Sequence, residues 1–98
     1  MTIHGTRFAS KLEARRYQEL VYRWRAHEIT RLIPHPSWDL IVNGCKIGCY
    51  TADASYIDTI GRLHVVDFKS EITARGEAFR LRKKLMWACH GIEVEVIL

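Results

Sequence analysis

The run Leu63-His64-Val65-Val66-Asp67-Phe68-Lys69 is the most strand-like stretch of the chain. Its β-branched and aromatic side chains, directly after a turn-like segment at 58–61, predict a strand over Leu63–Phe68. Asp67 and Lys69 are two residues apart, so both side chains project from the same face of that strand. The strand therefore brings an anion and a cation together at its carboxyl end.

The residues before this strand predict one helix and two further extended segments. Ser10 followed by Glu13 is a capping-box pattern, and it opens a helix over residues 11–27. Two prolines at 34 and 36 prevent that helix from continuing. A strand at 38–42, a hairpin turn at Asn43-Gly44 and a return strand from Cys45 follow, with a bulge expected at Gly48. The return strand leads into an extended run over residues 50–57.

The residues after the strand predict a second helix and a last strand. A polar connection at 70–76 precedes an apolar stripe at helical spacing over residues 78–89, and Gly91 serves as its C-cap. Residues 92–98 alternate as a strand. Because a helix separates the last two strands, we expect the final strand to lie parallel to a neighbour. The order αβββαβ predicts an α/β fold with one mixed sheet flanked by helices.

Length and composition limit the classes of protein. With 98 residues, of which 48% are hydrophobic, the chain is expected to form a single domain over 1–98. No apolar run approaches the length of a membrane span, and residues 1–25 are too polar for a signal peptide, so a cytoplasmic location is expected. Three cysteines (Cys45, Cys49 and Cys89) are too few for a disulfide scaffold and too loosely spaced for zinc, which favours small buried or half-buried thiols and no zinc.

The cationic residues favour a phosphate-bearing partner. The formal net charge is +4, and ten of the 15 basic residues are arginine, whose planar group suits bidentate contact with phosphate. A solvated helix face is the alternative interpretation. The cations that we expect to contact DNA lie on the two helices and the approach to the second: Arg15, Arg16, Arg75, Arg80, Lys83 and Lys84, with Arg82 among them.

Two aspartates are predicted to face each other across the last hairpin. If its loop is Thr59–Gly61 with Gly61 in the left-handed conformation, Asp58 faces Arg62, and Asp53 then faces Asp67. Like charges directly opposite each other destabilise a sheet, so the pairing suggests a divalent cation between the two carboxylates. The alternatives are an edge-strand role for Asp53 and a simple ion pair between Asp67 and its neighbouring lysine.

Glu13 is a third acidic residue in an unusual position. It lies on the apolar stripe that Tyr17, Leu20 and Val21 define, rather than on the wet face of the first helix. A carboxylate there needs a partner. The alternative is that Glu13 forms the reciprocal half of a capping box with Ser10.

The ordered set of motifs resembles the PD-(D/E)XK nuclease superfamily, and most of all the small phage Holliday-junction-resolvase-like endonucleases. Residues 8–17 are similar to their opening helix, and residues 50–56 to the strand that carries the first aspartate of the motif. Val66-Asp67-Phe68-Lys69 resembles the D/E-x-K signature, and residues 79–92 resemble the closing helix and strand. The chain departs from the motif at Ala52, where the superfamily name has proline.

The resemblance implies a Mg²⁺-dependent endonuclease, with Mn²⁺ as a possible substitute. Asp53 and Asp67 would be the direct metal ligands, with the backbone carbonyl of Phe68 as a third. Glu13 would reach a second metal or its water shell, and Lys69 would orient or help to deprotonate the attacking water.

The expected substrate is branched DNA, cut by a homodimer that makes two coordinated incisions. A nicking or flap endonuclease on simpler DNA, a non-catalytic DNA-binding module and a basic interaction protein stay open as alternatives. His64 lies on the opposite strand face from Asp67, which argues against a catalytic role for it. Trp24, Trp38 and Trp87 are expected in the core or in a subunit interface rather than as groups on which bases stack.

Overall fold

The computed structural model describes residues 2–3 and 5–98, and these form helices on both sides of a central sheet. In chain order the elements are β1 (Thr2–Ile3), β2 (Thr6–Arg7), α1 (Lys11–Arg25), β3 (Thr30–Pro34), β4 (Ser37–Val42), β5 (Cys45–Thr51), β6 (Ala54–Ile57), β7 (Leu63–Phe68), α2 (Glu71–Ala74), α3 (Glu77–His90) and β8 (Val94–Ile97). No helix in this described part of the chain is long and apolar enough to span a membrane.

The central sheet has four strands in the order β3-β6-β7-β8. The β3–β6 and β6–β7 pairs are antiparallel, whereas β7 and β8 are parallel, with Val65 opposite Val94. The predicted α/β class with a mixed sheet is confirmed, as is the parallel final strand.

Each face of the sheet carries its own apolar cluster. The residues of α1 pack against side chains of β6 and β7 in a cluster made of Phe8, Ala14, Tyr17, Leu20, Val21, Ile29, Ala54, Tyr56, Val66 and Phe68. On the other face, α3 and the β4–β5 hairpin pack in a second cluster made of Leu40, Tyr50, Ala52, Val65, Met86 and Val94. Because successive residues of β7 alternate between the clusters, Asp67 projects toward the face covered by α3 and the hairpin.

The turns agree with their sequence signals. Asn43 and Gly44 have φ values of 53° and 77°, as a two-residue hairpin turn requires. Gly61 has a φ of 85°, and the Asp58 N–H donates to the Arg62 carbonyl oxygen at 3.0 Å, so the predicted three-residue loop is confirmed. The extra residue of the β4–β5 ladder falls at 47, beside the predicted bulge.

The arrangement of the strands differs from the prediction in two respects. The β4–β5 hairpin forms a separate two-stranded sheet instead of joining the central one. The edge of β6 that the hairpin would have needed is occupied by β3, which was not predicted. The expected run over 50–57 is accordingly interrupted at residues 52–53, where the chain passes from one sheet to the other.

Two boundaries also differ. The first helix ends at Arg25, with Ala26 as its C-cap, two residues before the predicted end. The expected polar connection at 70–76 contains the short helix α2, whose N-cap is the Ser70 side chain.

Candidate active site

Asp53 and Asp67 lie opposite each other at the point where the β6–β7 ladder ends. The last pair of that ladder is Ala54 and Val66, so Asp53 continues the register opposite Asp67. The Asp53 N–H donates to Asp67 Oδ1 at 3.2 Å, and the Phe68 N–H donates to Asp53 Oδ2 at 2.8 Å. Each carboxylate is thus fixed by a backbone amide of the opposite segment, which holds the two acids at the same place.

The Asp67 carboxyl is buried, with only 3% of the residue exposed. Burial raises its pKa to about 6, and the negative charge of Glu13 adds to the rise. The Lys69 ammonium and the hydrogen bond from the Asp53 amide lower the same pKa without cancelling the effect of burial. The Tyr50 hydroxyl donates to Asp67 Oδ2. Asp67 is therefore a carboxylate whose negative charge the protein only partly compensates.

Lys69 follows β7 and lies between the acidic pair and α3. Its backbone N–H donates to the Ile97 carbonyl oxygen at 3.0 Å, which ties the residue to the end of β8. Its Nζ lies 5.1 Å from the centroid of the Phe79 ring. The half-buried side chain is thus confined between an aromatic ring of α3 and the acid two residues before it.

Glu13 is half-buried in the first turn of α1. Its backbone N–H donates to Ser10 Oγ at 3.1 Å, so the predicted N-cap is confirmed. The reciprocal bond of a capping box, from the Ser10 N–H to the Glu13 carboxylate, is not among the contacts of the described residues. The carboxylate instead acts on Asp67 through its charge.

A cleft of about 350 Å³ opens beside Asp67 and Lys69. Its walls come from β5, from β7 and from the α2–α3 region, and the lining residues are Tyr50, Thr51, Asp67, Lys69, Thr73, Gly76, Ala78, Phe79 and Arg82. Tyr50 was not predicted as a site residue, because nothing in the local sequence shows that a hydroxyl 17 residues before Asp67 will reach its carboxylate. Arg82 is the cation of α3 that lines this cleft.

The cations predicted to contact DNA do not form one surface. Arg75, Arg80, Lys83 and Lys84 line a common groove of about 620 Å³. Arg15 lines a different cavity.

Arg16 is held within the fold. Its Nη2 donates to the Leu98 carbonyl oxygen at 2.6 Å, and its Nη1 lies 3.3 Å from Glu19 Oε1. The structure therefore brings together the cations of α3 and its approach, and leaves those of α1 apart from them.

A second charged cluster lies near the amino end of β7. His64 Nε2 is 2.7 Å from Asp58 Oδ2, and His64 Nδ1 is 2.6 Å from Glu95 Oε2. The second oxygen of Asp58 accepts the N–H groups of Ile60 and Arg62 at 3.0 and 2.9 Å. We call His64, Asp58 and Glu95 the amino-end cluster, and Glu13, Asp53, Asp67 and Lys69 the carboxyl-end site.

The donor set of the carboxyl-end site suits a hard divalent cation. Mg²⁺ takes one or two carboxylates and keeps several of its waters, and Asp53 with Asp67 supplies that number of carboxylates. Within residues 2–3 and 5–98, no group of three or more His, Cys, Asp or Glu side chains is arranged to hold a metal. A buried carboxylate with a raised pKa would be stabilised by a cation, so the two aspartates fit such an ion, and the Phe68 carbonyl stays a predicted third ligand.

The cysteines differ from expectation. Cys45 and Cys49 are exposed on β5, and Cys89 is half-buried with its Sγ 3.4 Å from the Ile41 carbonyl oxygen. The expectation of small buried or half-buried thiols is therefore wrong for the first two. On β5 it is Tyr50 that faces the second apolar cluster, so the adjacent Cys49 projects to the opposite, uncovered face, and Cys45 lies next to the exposed turn.

Residues 1–95 match a family model described as Protein of unknown function (DUF1064). The chain belongs to the DUF1064 family. No curated protein and no solved structure matches the chain. We call the groove of about 620 Å³ the basic groove. The matched residues include the whole carboxyl-end site and the four cations of the basic groove, whereas Val96 of that groove lies just beyond them.

Proposed function

We propose that this DUF1064 protein is a metal-dependent DNA endonuclease that hydrolyses phosphodiester bonds in branched DNA. One observation carries the proposal. The carboxylates of Asp53 and Asp67 are each held by a hydrogen bond from a backbone N–H group of the opposite segment, and Lys69 lies beside them in an open cleft. This arrangement combines carboxylate oxygens for a cation with a separate positive charge for a phosphate.

The residues of the site would divide the chemistry between them. Asp53, Asp67 and the Phe68 carbonyl would hold Mg²⁺ or Mn²⁺, and Glu13 would contact a second ion or its water shell. When bound, the ion would lower the pKa of a water molecule and would act as a Lewis acid on a phosphoryl oxygen.

Lys69 would donate a hydrogen bond to the attacking water or to a phosphate oxygen, and its charge would offset the charge that develops there. Its confinement against Phe79 supports this role, because a positioned cation loses little entropy when the phosphate arrives.

The substrate preference follows from the basic groove and from the resemblance to junction-resolving enzymes. The cations of α3 suit contacts with phosphates. Such contacts weaken as the salt concentration rises, and they do not distinguish one base sequence from another. Recognition would then depend on the shape of the DNA. A symmetric dimer would present two such sites for paired incisions.

The experiment that tests the proposal uses a labelled four-way junction and a linear duplex of matched sequence, each with Mg²⁺ or with EDTA. We expect symmetric, metal-dependent cuts in the junction, and their loss in Asp67→Ala. Asp39→Ala is the matched control, because Asp39 is an exposed aspartate of the β4–β5 hairpin outside the cleft. Cuts in both DNAs would retain the nuclease and remove the junction preference. Binding without cuts would favour a non-catalytic DNA-binding module.

A further inference from the structure

The groove of about 620 Å³ lies between α3 and the edge strand β8. Its lining combines cationic and apolar side chains, namely Ala74, Arg75, Phe79, Arg80, Lys83, Lys84, Trp87, Glu93 and Val96. Four of these nine residues are cationic, and Glu93 alone is acidic. The composition favours a ligand that carries several negative charges and at least one flat apolar group.

The four cations are available to a ligand. In the described chain, none of Arg75, Arg80, Lys83 and Lys84 lies within 4.0 Å of a carboxylate oxygen, because the ion pairs found there involve other residues. A solvated helix face commonly places acids among its cations, three or four residues apart. Here Glu77 precedes Arg80 by three residues without forming an ion pair with it among the described residues, and the cations line a concave surface.

Trp87 gives the groove an aromatic wall. The residue is 63% exposed, so the expectation of a core position is wrong for it, and a place in a subunit interface stays a prediction. Lys83 precedes it by four residues, and Phe79 precedes Lys83 by four, so the three side chains lie along one side of α3. A solvent-exposed indole beside several unpaired cations is typical of surfaces on which nucleobases stack.

The groove adjoins the carboxyl-end site. Phe79 lines both the groove and the cleft that contains Asp67. Lys69 Nζ lies over the same ring, at 5.1 Å from its centroid. The Arg75–Gly76 segment between α2 and α3 also contributes one residue to each cavity. A strand bound in the groove would therefore reach the acids without crossing the body of the protein.

We propose that the groove binds an unpaired DNA strand, with one base stacked on Trp87 and the phosphates on Lys83, Lys84 and Arg80. This rests on the proposed nuclease function and specifies its substrate as branched DNA in which at least one base at the branch point is unpaired. In an intact duplex the base faces are stacked on one another and cannot meet the indole. A duplex would use the cations alone and leave the apolar wall unused.

The test measures binding by fluorescence anisotropy in EDTA, where no cleavage occurs. The probes are a short labelled oligothymidylate and a duplex of matched length. We expect Trp87→Ala to weaken binding of the single strand by at least about fivefold and to change duplex binding little. Trp87→Phe retains most of the affinity, because a phenyl ring also stacks. Leu81→Ala is the control, as Leu81 is an apolar side chain of the same helix with 57% exposure and does not line the groove.

The salt dependence gives a second readout. Lys83→Ala should reduce the slope of log K against log salt by about 0.7 for a single strand, the value for one lost phosphate contact. Circular dichroism of each variant separates lost contacts from lost folding. Equal affinities of Trp87→Ala and Leu81→Ala for the single strand, or tighter binding of the duplex than of the single strand, would overturn the inference.

The two proposals fail in different ways. If Trp87→Ala binds the single strand like the wild type while metal-dependent cuts persist, the nuclease stands and the groove inference is wrong. If no metal-dependent cut is found but Trp87→Ala still binds the single strand more weakly than the wild type, the groove inference stands and the proposed nuclease function is wrong.

Discussion

The two ends of β7 carry two groups of ionisable side chains that are built in opposite ways. At the amino end, His64 lies between Asp58 and Glu95, and the free oxygen of Asp58 accepts two backbone amides. At the carboxyl end, the Asp67 carboxyl is buried opposite Asp53 and has Lys69 as its nearby cation. At the amino end both carboxylates are hydrogen-bonded to the one histidine, whereas at the carboxyl end the three carboxylates of Glu13, Asp53 and Asp67 have one lysine near them and none is ion-paired with it among the described residues.

The pKa shifts reflect this difference. Hydrogen bonds from His64 and from the backbone lower the pKa of Asp58, and those to Asp58 and Glu95 raise the pKa of His64 despite its desolvation. Both shifts favour the charged forms, so the amino-end cluster stabilises the fold. Burial raises the pKa of Asp67, which means that its ionised form destabilises the fold. A group kept at the expense of stability is a candidate for function.

The largest expected difference between the two ends of β7 is in the rate of DNA cleavage by variants of each end. We expect Lys69→Ala to lower the rate of junction cleavage by at least about 100-fold while metal binding is largely retained, because its charge acts on the water and phosphate. Asp67→Asn should lose both cleavage and metal binding. His64→Gln should cleave within a few-fold of the wild type. Metal titrations and single-turnover rates of the three variants check this, and a reversed pattern for the first two would refute the assigned roles.

The second expected difference is in the stability of variants of the two ends, measured in EDTA so that no metal is bound. Asp67→Asn removes a buried charge whose pKa is raised to about 6, so the free energy of unfolding at neutral pH should rise by on the order of 1–2 kcal/mol after weaker hydrogen bonds are counted. His64→Gln removes the ion pairs of His64 with Asp58 and Glu95, and its Tm should fall by about 2–5 °C. Thermal unfolding followed by circular dichroism gives both signs. Two variants that shift in the same direction would remove the contrast between the ends.

The smallest effect is the pH dependence of the amino-end cluster. The pKa of folded His64 is raised above 6.5, so its stabilisation is complete below pH 6.5 and is lost as the pH rises through the folded value. The pKa of folded Asp58 lies below 3.8, so its contribution holds above pH 3.8 and is lost as the pH falls through the folded value. The Tm difference between wild type and His64→Gln should therefore be largest between these limits and shrink as the pH rises through the folded pKa of His64. A difference that grows with pH would contradict this assignment.

The sequence predicted the parts of the fold that depend on local chemistry. Ser10 as N-cap, the turn at Asn43-Gly44 and the left-handed Gly61 each need only their own neighbours. The opposition of Asp53 and Asp67 followed from counting outward from Gly61, because a tight turn sets the register. Close to a tight turn, counting residues outward from the turn is therefore enough to predict which residues of the two strands face each other.

The parts that depend on long-range packing were not predictable in the same way. The edge strand Thr30–Pro34 lacks a clean alternation and ends in proline, which an edge tolerates but which hides the strand signal. Without β3, the sequence predicts a single mixed sheet that includes the β4–β5 hairpin. The hydroxyl of Tyr50 on Asp67 and the exposure of Trp87 both depend on how the hairpin and α3 pack on the sheet.

The measurement that tests the contrast most directly is the Tm with and without Mg²⁺ or Mn²⁺ for wild type, His64→Gln and Asp67→Asn. A ligand that binds only the folded state raises the Tm. We predict that the metal raises the Tm of the wild type and of His64→Gln and leaves that of Asp67→Asn unchanged. A wild-type Tm that neither metal changes, or an equal rise in Asp67→Asn, would contradict a metal site at the carboxyl end of β7.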